Sequence, residues 1–182
     1  SADASDLVGV EKVFKESLER FGEVDAVIIS VGTWKQTSLN NSAAEIVDMN
    51  DQLDASIARP VIVVGSVAQE FFRQQGRGVI FHMSSHAADK YLSGNLAYAS
   101  AKAKASRFIL NLGEELKGTG VSTCDLRPAL VDTPVNRKEQ PQITSQQWAG
   151  AVQPTEIARF IAEQIGGQNI PAIHFFESDV VI

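Results

Sequence analysis

Tyr98 and Lys102 stand four positions apart in NLAYASAKAKASRFILNLGEELKG, residues 95–118. On a helix that spacing puts both side chains on one face. Their neighbours Ala97, Ala99, Ala101 and Ala103 are small, so something large can come close, either another helix or a cofactor. Shortly before them, Ser84-Ser85-His86 closes an apolar run. A phenol has a pKa near ~10, too high for a base at neutral pH, and a nearby ammonium lowers it. A serine hydroxyl can hydrogen-bond a carbonyl oxygen and hold it near that phenol. Ser85, Tyr98 and Lys102 together would move a proton on or off a carbonyl or alcohol oxygen. A hydrolase nucleophile is not indicated, because no G-x-S-x-G surrounds Ser84 or Ser85. A metal site is not indicated either: His82, His86 and His174 lack a cysteine or carboxylate set at ligand spacing. No side chain supplies hydride, and a nicotinamide cofactor would.

The elements that must position this trio follow from periodicity. LVGVEKVFKESLERFG has Val10, Phe14, Leu18 and Phe21 at helical spacing, Ser5 or Asp6 to cap it and Gly22 to end it. VDAVIISVG (24–32) is apolar and β-branched, the pattern of a strand buried on both faces. A second helix is predicted from about Asp54 to Gln75, with Ile57, Val61, Val64, Ala68 and Phe71 on one side and Pro60 in its first turns or at a kink. VIFHMSS is a strand, and the Tyr98 helix follows, its core face Ala101, Ala105, Phe108, Leu112 and Leu116. VSTCDLRPA (121–129) is a strand, PTEIARFIAEQIGG (154–167) a helix opened by Pro154, and IPAIHFF (170–176) a last strand. Alternating strands and helices predict an open α/β parallel sheet, whose ligands lie beyond the carboxyl ends of the strands. Those ends fall at Ser30-Val31-Gly32, Ser84-Ser85-His86 and Pro128-Ala129. The irregular stretch 134–153 reads as a lid or substrate loop within a single domain, 1–182.

Composition narrows the partners. The 182 residues carry a net charge of −6 and a pI near 5.1, which argues against nucleic acid and anionic membrane. The apolar run PVIVVGSVA is too short to span a bilayer. SADASDLVGV has no basic region and does not read as a signal peptide. The single Cys124 cannot form an internal disulfide and reads as a small core residue; a reducing, cytoplasmic setting fits.

In these residues the chain resembles the short-chain dehydrogenases/reductases. YASAK carries the family's Tyr-x-x-x-Lys, and Ser85 lies thirteen residues before Tyr98, as the family's catalytic serine does. PALVDT (Pro128 to Thr133) is similar to the Pro-Gly-x-x-x-Thr stretch bordering the nicotinamide. Asp3 resembles the acidic position at the adenine ring, and QPTEIARFI the family's late helix. The resemblance implies a Rossmann-type sheet with helices on both faces. It implies NAD or NADP as cofactor, with Asp3, Gly32, Lys102, Pro128 and Thr133 toward it. Ser85, Tyr98 and Lys102 would be catalytic on a small carbonyl/alcohol substrate. It also implies a homodimer or homotetramer associating through the helices at about 55–75 and 98–117. Asp3 has a second reading as a solvated acid flanking the first helix, and Thr133 as a residue that merely precedes a loop proline. His86, Tyr91, Trp34 and Trp148 are candidate pocket walls or ordinary packing residues.

The sequence also departs from the family pattern. Asn-Asn-Ala-Gly is replaced by ISVG, keeping only Gly32. The family's helix asparagine falls at Ser56, or at Ile57 or Ala58 after a one-residue shift. Pro-Gly becomes Pro128-Ala129, and no G-x-G-x-x-G occurs. The expectation is a C-terminal two-thirds of the domain, with the N-terminal strands and Gly-rich turn outside it. The reading is an NAD(P)-dependent oxidoreductase. The alternative is a non-catalytic relative serving as a binding or scaffold protein.

Overall fold

The computed structural model describes residues 1–91, 93–167 and 169–178. Helix α1 (Leu7–Phe21) starts where Asp6 accepts a hydrogen bond from the Gly9 N–H, and it ends at Gly22 with φ 81°. Val10 and Phe14 turn inward, whereas Phe21 is 67% exposed. Four strands follow in turn: β1 (Ala26–Ile29), β2 (Gly78–Met83), β3 (Val121–Pro128) and β4 (Ile173–Phe176). They pair in parallel in the order β1-β2-β3-β4, with Phe81 opposite Cys124 and His82 opposite Asp125. Helices fill each crossover: α2 (Ala43–Leu53) and α3 (Arg59–Gln75), then α4 (Leu96–Glu115), then α5 (Pro134–Glu139), α6 (Ser145–Trp148) and α7 (Pro154–Gln164).

Both sheet faces are covered. On one, Ile29 and Ile80 pack with Val10, Phe14, Ile57, Val61, Ala68, Phe72, Ala101, Ala105 and Ile109 from α1, α3 and α4. On the other, Val79, Phe81, Cys124 and Leu126 meet Ile157 and Ile161 of α7. This alternation along β2 and β3 is the side-chain period of two. Cys124 is fully buried, and burial pushes its thiol up to about 12. Gly78, at φ 153°, lies against Phe72; a Cβ there would come within 2.3 Å of the ring.

β1 is the edge of the sheet formed by this chain, with Ile29 buried and Ile28 48% exposed; Val27 and Ile29 pack into one core and Ala26 against the other. Two expectations change. The second helix begins eleven residues earlier than expected. Ser42 and Glu45 form a capping box that opens α2, and α2 runs without a break through one π turn (Asp54–Ala58) into α3. In that turn the Arg59 N–H reaches back to the Asp54 carbonyl. Pro60, which lacks an N–H and would crowd the Ser56 carbonyl in a regular α-helix, follows the widened turn directly. By length and composition the helix 43–75 could cross a membrane; here its apolar stripe Val61, Val64, Ala68 and Phe72 is buried in the core. Finally, the stretch 134–153 contains two short helices, α5 and α6, capped by Thr133 and Thr144, with Trp148, Ile143 and Ala151 forming a small core of their own.

Candidate active site

Ser85 follows the end of β2 and caps a 3-10 turn (His86–Ala88) by accepting the Ala87 N–H at 3.1 Å. Tyr98 sits in the first turn of α4, and Lys102 one turn on. The structure brings all three together. The Ser85 hydroxyl lies near enough to the Tyr98 hydroxyl to act on its titration. The Lys102 ammonium lies 5.9 Å from the centroid of the Tyr98 ring and donates to the Met83 carbonyl at 2.8 Å. The small residues around Tyr98 and Lys102 let neighbours come close: Ala97, Ala101 and Ala105 are buried in the core that α4 shares with β3 and with α2, the π turn and α3.

The electrostatics differ from expectation at Tyr98. Burial raises its phenol above the ordinary value, and the Ser85 hydroxyl opposes this. Lys102 faces the ring rather than the hydroxyl and does not lower the phenol. Lys102 itself is 6% exposed; burial pulls it down to about 8, against the pull of Asp125.

A buried polar cluster behind the trio was missed by sequence reasoning. Across the sheet, His82 Nδ1 lies 2.7 Å from Asp125 Oδ1. Arg127 Nε donates to Asp125 Oδ2 at 2.7 Å, and Ser106 Oγ to Asp125 Oδ1 at 3.2 Å. Since Ser106 has one hydroxyl proton and spends it on Asp125, Ser84 is the donor in the 2.6 Å Ser84–Ser106 bond. Burial opposes the charge on Asp125, yet the hydrogen bonds from His82 and Arg127 hold its carboxyl below the usual range. Burial likewise lowers His82, more than the Asp125 bond raises it, leaving a neutral ring with its proton on Nδ1. His82 Nε2 has no hydrogen-bond partner among the described residues. The signal available in the sequence was a histidine in VIFHMSS and an Asp-x-Arg in VSTCDLRPA, charged types at alternate positions of otherwise apolar strands.

The remaining expected site residues are dispersed. Asp3 is exposed before α1, where its carboxyl accepts from the Ser5 N–H and hydroxyl at 2.8 Å each; these bonds hold it below the ordinary range. Gly32 follows β1 at φ 140°, and a Cβ would meet Ile57 Cγ1 at 3.1 Å. Pro128 ends β3 opposite Phe176, and Thr133 caps α5 by accepting the Asn136 N–H at 3.1 Å. Ser56 turns its hydroxyl back to the Leu53 carbonyl at 3.5 Å, and Ile57 beside it is fully buried. Trp34 donates to Asn95 at 2.8 Å, tying the loop after β1 to the start of α4. Trp148 is packed under the Arg137 guanidinium, Tyr91 is fully exposed, and His86 is buried against Phe175.

Comparison with known proteins agrees with this arrangement. Residues 1–144 match the family model described as short chain dehydrogenase. Oxidoreductase BOA17 of Botryotinia fuckeliana is 31% identical over 134 residues, which are 72% of this chain and 47% of that protein. The chain spans about 58% to 66% of other curated relatives, oxidoreductases of Staphylococcus haemolyticus and Staphylococcus epidermidis. Among solved structures, ElxO with NADP bound superposes with a TM-score of 0.82 at 14% identity, over 96% of this chain and 74% of that one. A 7α-hydroxysteroid dehydrogenase complexed with NADH and 7-oxo glycochenodeoxycholic acid gives 0.81 at 17% identity, over 99% of this chain and 72% of that one. At these identities the structural likeness establishes the open α/β fold.

Proposed function

The chain belongs to the short-chain dehydrogenase family, and on that premise we propose that it is the catalytic part of an oxidoreductase that interconverts a carbonyl and an alcohol with NAD or NADP. The observation that carries this reading is the convergence of Ser85, Tyr98 and Lys102 at the carboxyl end of β2, with the Lys102 ammonium 5.9 Å from the Tyr98 ring centroid and 2.8 Å from the Met83 carbonyl. The nucleotides bound by the similar structures support the cofactor class. Residues here suit its nicotinamide-ribose end: Lys102 has the Met83 carbonyl as its one hydrogen-bond partner among the described residues, which leaves ammonium donors for a diol. Gly32 and the segment Pro128 to Thr133 would border the ring, and Asp3 would lie toward the adenine. The bound nucleotide supplies or accepts the hydride.

Ser85 holds the substrate oxygen by its hydroxyl. In reduction, the Tyr98 hydroxyl gives its proton to that oxygen as it gains charge; in oxidation, the phenolate takes the proton back. A phenol raised by burial stays protonated at neutral pH and so is available as the proton donor of the reduction. The substrate is a small molecule that carries the carbonyl or alcohol.

A second reading, a binding relative without turnover, is favoured by one observation. Where the family has an asparagine, Ser56 bonds back to its own helix and Ile57 is buried. The deciding experiment compares wild type and Tyr98→Phe for oxidation of NADH and NADPH over a panel of aldehydes and ketones. Turnover lost in the variant supports the enzyme. Turnover of any substrate that survives Tyr98→Phe defeats the assignment of Tyr98, and no turnover by wild type on the whole panel favours the binding relative.

A further inference from the structure

Asp125 is a carboxylate with no solvent exposure in the middle of the sheet. Such a group is costly unless paired, and here three donors pair it: His82 from β2, Arg127 from β3 and Ser106 from α4. Two features tie it to the proton-handling residues. The first is connectivity. Asp125 holds Ser106, Ser106 holds Ser84, and the Ser84 N–H is fixed by the Leu126 carbonyl at 2.8 Å. Ser84 lies between Met83, whose carbonyl takes the Lys102 ammonium, and Ser85, whose hydroxyl acts on Tyr98.

The second feature is charge. Lys102 and Arg127 are both buried cations in this region, 6% and 5% exposed. Around Lys102 the charged and titratable groups are Tyr98 on its own helix, His82 on β2, and Asp125 and Arg127 on β3. His82 is neutral. Arg127 takes a further carboxylate, Asp89, at 3.4 Å. From the π turn, Asp54 is taken up by Lys104 instead. That leaves Asp125 as the anion acting on Lys102, and it opposes the burial that would strip the lysine of its proton.

We propose that Asp125 is a positioning residue of this site, the buried counter-ion that keeps Lys102 protonated beneath Tyr98, with Ser106 and Ser84 fixing the strand end that holds them both. The inference rests on the reading of Tyr98 and Lys102 as the proton-handling pair, and it is tested separately from that reading.

The test is a lysine titration. This chain, labelled with carbon-13 at lysine Cε, is followed by NMR against pH, with Lys102 assigned by its loss in Lys102→Arg. Asp125→Asn keeps size and removes the charge, and turns one of the two acceptor oxygens into an NH2 donor. The Lys102 midpoint falls by about one pH unit, about a tenfold loss of proton affinity. Ser84→Ala breaks the bridge but keeps the charge, and leaves the midpoint in place. A midpoint unchanged in Asp125→Asn overturns the proposal. If that variant does not fold, Asp125→Asn with Arg127→Gln is titrated against Arg127→Gln alone, so that only the Asp125 charge differs; a midpoint lower in the double variant supports the proposal, and equal midpoints overturn it. The titration does not depend on turnover, so it decides Asp125 even where Tyr98→Phe defeats the enzymatic reading. In the active enzyme, Asp125→Asn shifts the alkaline limb of kcat/KM downward by the same interval, which a purely structural defect would not do.

Discussion

His82 Nδ1 donates to Asp125 Oδ1 at 2.7 Å from directly paired positions of β2 and β3, and neither side chain is more than 1% exposed. The pair lies inside the sheet one residue before Met83, whose carbonyl takes the Lys102 ammonium at 2.8 Å. Four predictions follow from this region and from the packing around it.

Stability falls on acidification, and His82 accounts for part of the fall. The unfolded chain protonates this histidine below its ordinary value of 6.5, while burial keeps the folded ring neutral to lower pH. The stabilisation is therefore present above that value and is lost as the pH drops through the depressed folded one. Asp125 acts with the same sign further down: its contribution is present above 3.8 and lost as the carboxyl protonates below it. Burial also lowers His86 and His174, so the measurement is a difference. The loss of urea-unfolding free energy between about pH 7 and pH 5 should be smaller in His82→Asn than in wild type.

Lys102 gives activity an alkaline limit. In the free enzyme its ammonium is lost as pH rises through about 8, well below the 10.5 of an exposed lysine. Since kcat/KM reports the free enzyme, it should decline through that range in wild type. Arginine stays charged, so in Lys102→Arg whatever activity remains should lack this decline. An identical limb in the variant would assign it to another group.

Two ion pairs should behave oppositely. Arg127 is 6% exposed at its side chain and bonds a carboxylate that has no exposure. Arg127→Met leaves Asp125 charged and short of a partner, at a cost of about 3–5 kcal/mol in chemical denaturation. Arg137 makes a good pair with Asp132 but is 47% exposed, and Arg137→Met, which keeps apolar cover over Trp148 and removes the charge, should leave the denaturation midpoint essentially unchanged.

Two glycines of positive φ should also separate. Gly118→Ala meets nothing within 4 Å, so it carries only the backbone penalty, about 1–2 kcal/mol. Gly78→Ala carries that penalty and drives a methyl into the Phe72 ring, so its melting temperature should fall clearly further. Equal losses at the two positions would mean that Phe72 moves aside freely.

Much of this arrangement was legible because periodicity reports burial. Val10 and Phe14 marked α1, Ala101 and Ala105 marked α4, and the serine–tyrosine–lysine spacing placed three side chains that do meet. AAEIVDMNDQL buries little beyond Leu53 and so read as polar linker, although Ser42 and Glu45 carried the capping signal. The sense of the Tyr98 shift depends on how much protein lies over the phenol, which no local spacing encodes. His82 and Asp125 were overlooked because each looks like an isolated polar residue until strand register pairs them.

The π turn at Asp54–Ala58 means that the helix from Ala43 to Gln75 carries one more residue than its winding requires. Deleting one position between 54 and 58 would let the segment rewind as a regular α-helix with both halves still facing as they do, but Pro60 would then close on the carbonyl four residues before it. Deleting one residue on either side of the turn would instead rotate one half against the other by about 100°, and the stripe Val61, Val64 and Ala68 would leave the sheet. A helix that looks uniform is therefore divided, for insertions and deletions, into two segments whose angular phase that single turn sets.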